Sequence, residues 1–393
     1  MNGPSHTERW TNALLSSPRR GGHPVKPREG SRLEGPLAGL KVVEVAGLGP
    51  LTFTCMLLAD MGADVVRIIR PGHDDMEKGA TLRGRRTLAL DLRATEGREV
   101  AIALVRSADV LLEGFRPGVM ERLQLGPEQV MPTNPRLVYG RMTGWGQTGP
   151  RSAQAGHDIN YIAVAGALHA IGDCEPVVPL NVVGDYGAGA LYLAMGTLAA
   201  VLHARESGTG QVVDCAICDG TVSLLSLMHG LHHVGRWKDQ RRSNTIDGAA
   251  PFYRTYRCKD GKAISVGAIE PQFYKLLLER LQLHETSLFA RQHDRSLWGQ
   301  QISALEPLFL TRKRDEWVAI FADCDACVAP VNSLEESLKD EHLLARQAFT
   351  ELAGELQPSP APRFSVSPSR VRLSASVANV EEILEGWQPA EKA

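Results

Sequence analysis

Leu40 to Ala46 is a short β-branched run closed by Gly47, an apolar helix-like segment runs from Thr52 to Met61, and Val65 to Ile69 reads as a second strand. Strand, helix and strand at this spacing make a βαβ unit, and the crossover obliges the two strands to pair in parallel. The pattern recurs: Thr95 to Ser107 reads as a helix, Asp109 to Glu113 as a strand, Pro117 to Leu123 as a helical turn and Leu137 to Met142 as another strand. A chain built this way is α/β with a parallel sheet, and such sheets take ligands at the carboxyl ends of their strands.

Farther on, a long helix is expected from Gly187 to Glu206, stopped by Gly208-Thr209-Gly210, then a strand over Gln211 to Ile217 and a helix over Gly220 to Trp237. At Ala250 the texture changes. Phe252 to Arg257 and Lys262 to Val266 flank an Asp260-Gly261 turn, the signature of an antiparallel hairpin. Helices are expected near Pro271 to Leu281, Asp294 to Leu308 and Arg314 to Ala322, and Ser333 with Glu336 reads as a capping box opening a final helix before an extended Pro358 to Pro362. The organisation expected is a disordered leader over 1–36, a large domain over 37–225 completed by about 335–393, and a linker helix with a smaller α+β domain over 226–334.

The formal charge of −2 leaves no basic field with which to collect nucleic acid or an anionic membrane. No uninterrupted apolar run reaches the roughly 18 to 20 residues that span a bilayer; the richest, Ala188 to Leu202, suits a buried helix. Seven cysteines without a secretory signal point to free thiols in a reducing compartment, taken as the cytoplasm. The pairs Cys215/Cys218 and Cys324/Cys327 lie too far apart for a zinc ribbon, and His229, His232 and His233 read as a helix surface, so no metal is expected.

The loop Gly47-Leu48-Gly49-Pro50 is not GxGxxG, and Arg67 and Arg70 stand where a dinucleotide fold wants an acid, so nicotinamide binding is not indicated. Arginines mark these strand ends instead: Arg70, Arg83, Arg85, Arg86, Arg93, Arg116 and Arg122. Paired guanidinium N–H groups suit phosphates, and as a set they favour a ligand with several. The stretch Gly156-His157-Asp158-Ile159-Asn160-Tyr161 supplies the first candidate for proton transfer. A histidine takes and gives protons near neutral pH, and Asp185 and Glu270 are the acids read with it.

These residues sit inside a longer signature. Gly39 to Glu44, Leu58 to Arg67, Gly144 to Pro150, Gly156 to Tyr161 and Gly184-Asp185-Tyr186-Gly187 together resemble the class III CoA-transferase superfamily, from about Pro36 onward. Within it the chain is similar to the α-methylacyl-CoA racemase branch. The resemblance implies a Rossmann-like large domain, a small domain and an intertwined homodimer with active sites between chains. It implies an acyl-CoA substrate and no separate cofactor. It places CoA on Arg70, Leu90, Asp91, Leu92, Arg93, Gly114, Phe115, Arg116, Arg122, Gly156, Asp158, Ile159, Asn160 and Tyr161. It assigns proton transfer to His157 and Asp185 with Glu270 in support.

Inverting a carbon beside a thioester carbonyl needs a base on one face and an acid on the other, and the enolate between them needs a fixed donor. The Asp185 N–H is the donor expected here. Two departures from the relatives stand out: Leu51 replaces a common Gly in the loop that approaches CoA, and the segment between Gly172 and Pro179, at the expected acyl rim, is short. Two other readings stay open: a CoA-transferase using Asp185 as nucleophile, which needs no opposing His157, and a non-catalytic acyl-CoA-binding protein.

Overall fold

The computed structural model describes residues 34–47, 49–72, 79–376 and 380–387. The leader expected over 1–36 lies outside the described residues apart from its last few positions. In chain order the main elements are β1 (Lys41–Val45), α1 (Pro50–Asp60), β2 (Asp64–Ile69), β3 (Arg86–Ala89), α2 (Thr95–Ser107), β4 (Val110–Glu113), β5 (Val138–Thr143) and α3 (Asp158–Val164). A π-helix over Val182–Ala190 then runs into α4 (Leu191–Ser207), followed by β6 (Val212–Ala216), α5 (Ile217–Leu224) and α6 (Ser226–His233). The remainder comprises β7 (Tyr253–Arg257), β8 (Ala263–Gly267), α7 (Pro271–Arg280), α8 (Trp298–Phe309), α9 (Arg314–Phe321), β9 (Val328–Pro330), β10 (Phe349–Leu352), β11 (Glu355–Pro358), β12 (Ala375–Ser376) and α10 (Val380–Trp387).

The large sheet has seven strands in the order β12-β3-β2-β1-β4-β5-β6. Every pair in it is parallel, so all the carboxyl ends lie along one edge. From β1 the chain winds one way through β2 and β3, then returns to β4 on the other side of β1 and winds outward to β6. A crevice opens at such a reversal, above β1 and β4. One face of the sheet is covered by α1, α4 and residues such as Val42, Leu58, Leu112, Val138 and Leu193, the other by α2 and α10 with Val43, Val66, Leu104, Leu111 and Trp387. Strands buried on both faces explain the near-continuous Val/Leu runs.

A separate core gathers Phe252, Tyr256, Ile264, Leu277, Trp298, Phe309 and Trp317 around the antiparallel sheet β7-β8-β9. The mixed α/β architecture with a parallel sheet and smaller antiparallel sheets is the one expected from the sequence.

Several local expectations are corrected. The helix expected from Gly187 begins five residues earlier as a π-helix, in which Tyr186 N–H donates to Asn181 O at 3.1 Å. Joined to α4 it makes a run of 26 residues, Val182–Ser207, that by length and composition alone is long and apolar enough to cross a membrane, so the apolar-run count fell short. Half of its most apolar window is buried, and its Leu193, Thr197, Ala200 and Ala204 face the sheet. The helix expected over Gly220 to Trp237 is two, α5 and α6. Ser333 does cap a helix, with Glu336 N–H donating to its Oγ at 3.2 Å, but that helix ends at Ser337 and is not the final one.

Candidate active site

Because the sheet is parallel, the loops after β2, β3, β4 and β5 all open at one edge. They carry Arg70, Leu90 to Arg93, Gly114 to Arg116 with Arg122 shortly beyond, and Gly156 to Tyr161. Arg70, Arg93, Arg116 and Arg122 are exposed there. Asp91 Oδ1 accepts from Arg93 N–H at 3.0 Å, which shapes that turn, while Leu90 and Leu92 anchor it on the sheet core.

Other arginines of the original set are not free for a ligand. Arg83 pairs with Asp60 at 2.6 Å, Arg85 with Glu44 at 3.4 Å and Arg86 with Asp64 at 2.6 Å. Arg83 and Arg85 are buried, and Arg85 also donates to the carbonyls of Thr52 and Thr81. Burial pushes the Glu44 carboxyl up against the pull of Arg85 and Arg67. These side chains brace the sheet, so the sequence set splits into ion-paired members within the fold and exposed members along the edge.

The loop after β4 is braced from below. Glu113 accepts from Phe115 N–H at 2.7 Å and from Arg141 Nε at 2.8 Å, and burial pushes its carboxyl up to about 6. Leu51 is fully buried in α1, where a Cβ added to Gly47 or to Gly114 would meet its Cδ2 at 3.3 Å. It supports the floor of the crevice rather than projecting into the loop. The segment after Gly172 closes through a bridge between Gly172 and Pro176, and Arg241 donates to the carbonyls of His169, Asp173 and Cys174 at 2.9, 3.2 and 3.0 Å.

His157 is the N-cap of α3, with an exposed side chain and its N–H donating to Asn160 Oδ1 at 3.1 Å. The next residue, Asp158, turns inward, and its Oδ1 accepts from the Asp185 N–H at 2.7 Å. Asp158 thereby ties the start of α3, where His157 is the N-cap, to the π-helix that carries Asp185. The same bond corrects the oxyanion expectation: the Asp185 amide is engaged within the chain and is not the donor to a thioester oxygen.

Asp185 is half-buried beside the crevice, since a Cβ on Gly49, just after β1, would lie 3.6 Å from its Oδ2. Tyr161 packs edge-on against Trp145 at 4.8 Å and donates to Gly156 O; burial first, then the negative charge of Asp185, holds its phenol above the usual range. Close approach demands glycine at Gly184 and Gly144. A Cβ on Gly184 would meet Asp158 Oδ1 at 2.4 Å, and one on Gly144 would meet the Tyr161 ring at 2.0 Å.

Glu270 lies elsewhere, exposed at the N-cap of α7 in the second core, where its charge reaches the thiol of Cys327. Among the described residues no hydrogen bond or ion pair joins it to His157. All seven cysteines are free, and no cluster of three or more His, Cys, Asp or Glu among the described residues could hold a metal. Sequence reasoning missed the role of Asp158 as the anchor of Asp185, and missed Phe53, whose ring stacks on Tyr186 at 4.4 Å. Nothing in the sequence pairs those positions, which are far apart along the chain.

Comparison with known proteins agrees with this geometry. The model of CoA-transferase family III matches residues 37–378. An alpha-methylacyl-CoA racemase of Mus musculus is 44% identical over 85% of this chain and 87% of its own, and the Homo sapiens racemase is 42% identical over 89% and 92%. A CAIB/BAIF family protein from Brucella suis superposes with a TM-score of 0.77 at 26% identity, covering 90% of this chain and all of that one. The match runs through the parallel sheet and the antiparallel layer alike, and on that footing the chain belongs to CoA-transferase family III.

Proposed function

We propose that this protein is an isomerase that epimerises 2-methyl-branched acyl-CoA thioesters, an α-methylacyl-CoA racemase. The observation that carries the reading is the bond from Asp185 N–H to the Asp158 carboxylate, which couples the residue beside His157 to Asp185 at the carboxyl edge of the sheet. Two unlike proton carriers are then available to one substrate carbon. One removes the α-proton, the thioester enolate forms, and the other returns a proton to the opposite face. The similarity to the mammalian racemases supports the same assignment.

Arg70, Arg93, Arg116 and Arg122, exposed along that edge, are assigned to the phosphates of CoA. Glu270 is assigned to a site completed by a second copy of the chain, since it stands on a separate core. A homodimer is supported by exposed apolar side chains along the π-helix, α4 and α5, among them Val182, Leu191, Met195, Leu202 and Leu224. A carboxylate nucleophile alone suffices for CoA transfer, so the placement of His157 favours racemisation over the family's transfer chemistry.

The test is proton NMR of the protein with a single 2-methylacyl-CoA epimer in deuterium oxide, without an acid acceptor. Loss of the α-proton signal together with appearance of the other epimer is the expected result. No exchange, with CoA passing to an added carboxylic acid, would replace the racemase reading by the transferase one.

A further inference from the structure

Asp185 sits on an unusual support. The π-helix Val182–Ala190 is nine residues long, whereas such turns ordinarily occur as single wide turns inside α-helices. A wide turn of this length needs holding from outside, and the structure supplies three grips. Asp158 of α3 takes the Asp185 N–H, and the Thr54 hydroxyl of α1 contacts Ala190 O at 3.0 Å. The third is the ring of Phe53, also on α1, lying nearly parallel to Tyr186 with 17° between planes and 4.4 Å between centroids. Tyr186 is the residue after Asp185, and its N–H makes the five-residue bond to Asn181 that defines the wide turn.

The base of α1 is itself fixed. Buried Arg85 holds the Thr52 carbonyl and pairs with Glu44, so Phe53 projects from a rigid turn. Its partly buried ring adds little to either sheet core, and among the described residues it stacks on Tyr186 alone. A flat ring on a flat ring fixes orientation as well as contact.

We infer that Phe53 is a positioning residue: its stack on Tyr186 holds the π-helix in the register that seats Asp185 against Asp158. This rests on the racemase reading only for its catalytic consequence. Relaxation of the wide turn toward an α-helix would rotate Asp185 away from the start of α3, and a small misplacement of a reacting group costs up to about 100-fold in rate.

The experiment compares the full-length wild type with Phe53→Leu, Phe53→Ala and Phe53→Tyr. Leu keeps an apolar side chain without the plane, and Tyr keeps the plane. Amide hydrogen exchange is followed over the peptide containing Val182–Ala190, and α-proton exchange of 2-methylacyl-CoA gives kcat and KM, with thermal denaturation as a folding control. Phe53→Leu is expected to speed amide exchange in that peptide by about 10-fold, the scale of one aromatic stack. It is also expected to lower kcat by roughly 10- to 100-fold while KM stays within about 2-fold, and Phe53→Tyr to restore both. Wild-type amide exchange in Phe53→Leu overturns the inference, as does a raised KM at unchanged kcat, which would make Phe53 part of the substrate surface. Should Phe53→Ala fail to fold, the Leu and Tyr pair carries the comparison. A wild type that exchanges no α-proton overturns the racemase reading instead, and amide exchange still decides whether Phe53 holds the π-helix.

Discussion

The carboxylate of Asp158 accepts the backbone N–H of Asp185 at 2.7 Å, so a side chain on α3 fixes the main chain of the π-helix. Removing a buried acceptor leaves its donor unsatisfied at a cost of about 1–3 kcal/mol. Asp158→Ala is therefore expected to lower kcat by roughly 10- to 100-fold with KM for the thioester little changed, and Asp158→Asn, which keeps an acceptor oxygen, to do so less. Steady-state epimerisation of both variants checks this.

His157→Ala and Asp185→Ala are each expected to lower turnover by at least about 100-fold, the usual loss when an acid/base group goes. Thioester affinity, measured by calorimetry with a non-reacting acyl-CoA, should hold. Near-normal turnover in both variants contradicts the two-carrier assignment.

Gly184→Ala places a methyl group where Asp158 Oδ1 would be 2.4 Å away and Ile162 Cγ2 2.8 Å away. Neither neighbour is a loose surface end, so α3 must shift off the π-helix. A loss of about 1–3 kcal/mol in stability is expected from the overpacking, read from denaturant midpoints.

Arg85 and Arg116 should respond in opposite ways. Arg85→Ala leaves the fully buried Glu44 with Arg67 as its ion-pair partner and takes the buried donor from the Thr52 carbonyl, and it is expected to cost about 1–3 kcal/mol. The exposed Arg116→Ala should leave stability within about 0.5 kcal/mol and raise KM for acyl-CoA. Thermal unfolding and kinetics on the two variants separate a structural from a ligand-facing arginine.

Glu113 gives a pH dependence of definite sign. Its folded carboxyl is pushed up to about 6 from an ordinary 4.5, so between those values the folded chain holds more protons than the unfolded one. Its contribution is complete below pH 4.5 and is lost as pH rises through about 6. At about 1.4 kcal/mol per unit this amounts to about 2 kcal/mol. Denaturant unfolding at both ends of that window should show the corresponding slope diminished in Glu113→Gln.

What the sequence disclosed follows physical periodicity. β1, α1, β2 and α2 were legible because Val/Ile runs and apolar helical segments alternate there without interruption. β3 was not: Arg86 reads from the sequence as a strand-end arginine, and its place inside a strand follows only from pairing with β2 and the ion pair to Asp64. The two-residue β12 has no pattern to read, because its place is set by pairing with β3. Within the arginine set, Arg83, Arg85 and Arg93 look alike in the sequence until burial divides them. His157, Asp185 and Glu270 are candidates that motifs single out, whereas the inward turn of Asp158 depends on a contact 27 residues away and no local spacing encodes it.

The C-terminal helix α10 has a consequence for how the molecule is made. Ile383 and Trp387 are buried among strands laid down at the start of the chain, and Trp387 Nε1 donates to Asp64 Oδ2 at 2.8 Å. That face of the sheet stays open on the ribosome until α10 has emerged. The core around Phe252, Trp298 and Trp317 is contiguous in sequence and is complete well before. Synthesis thus delivers the core around Phe252 as a finished body before the parallel sheet is closed by α10.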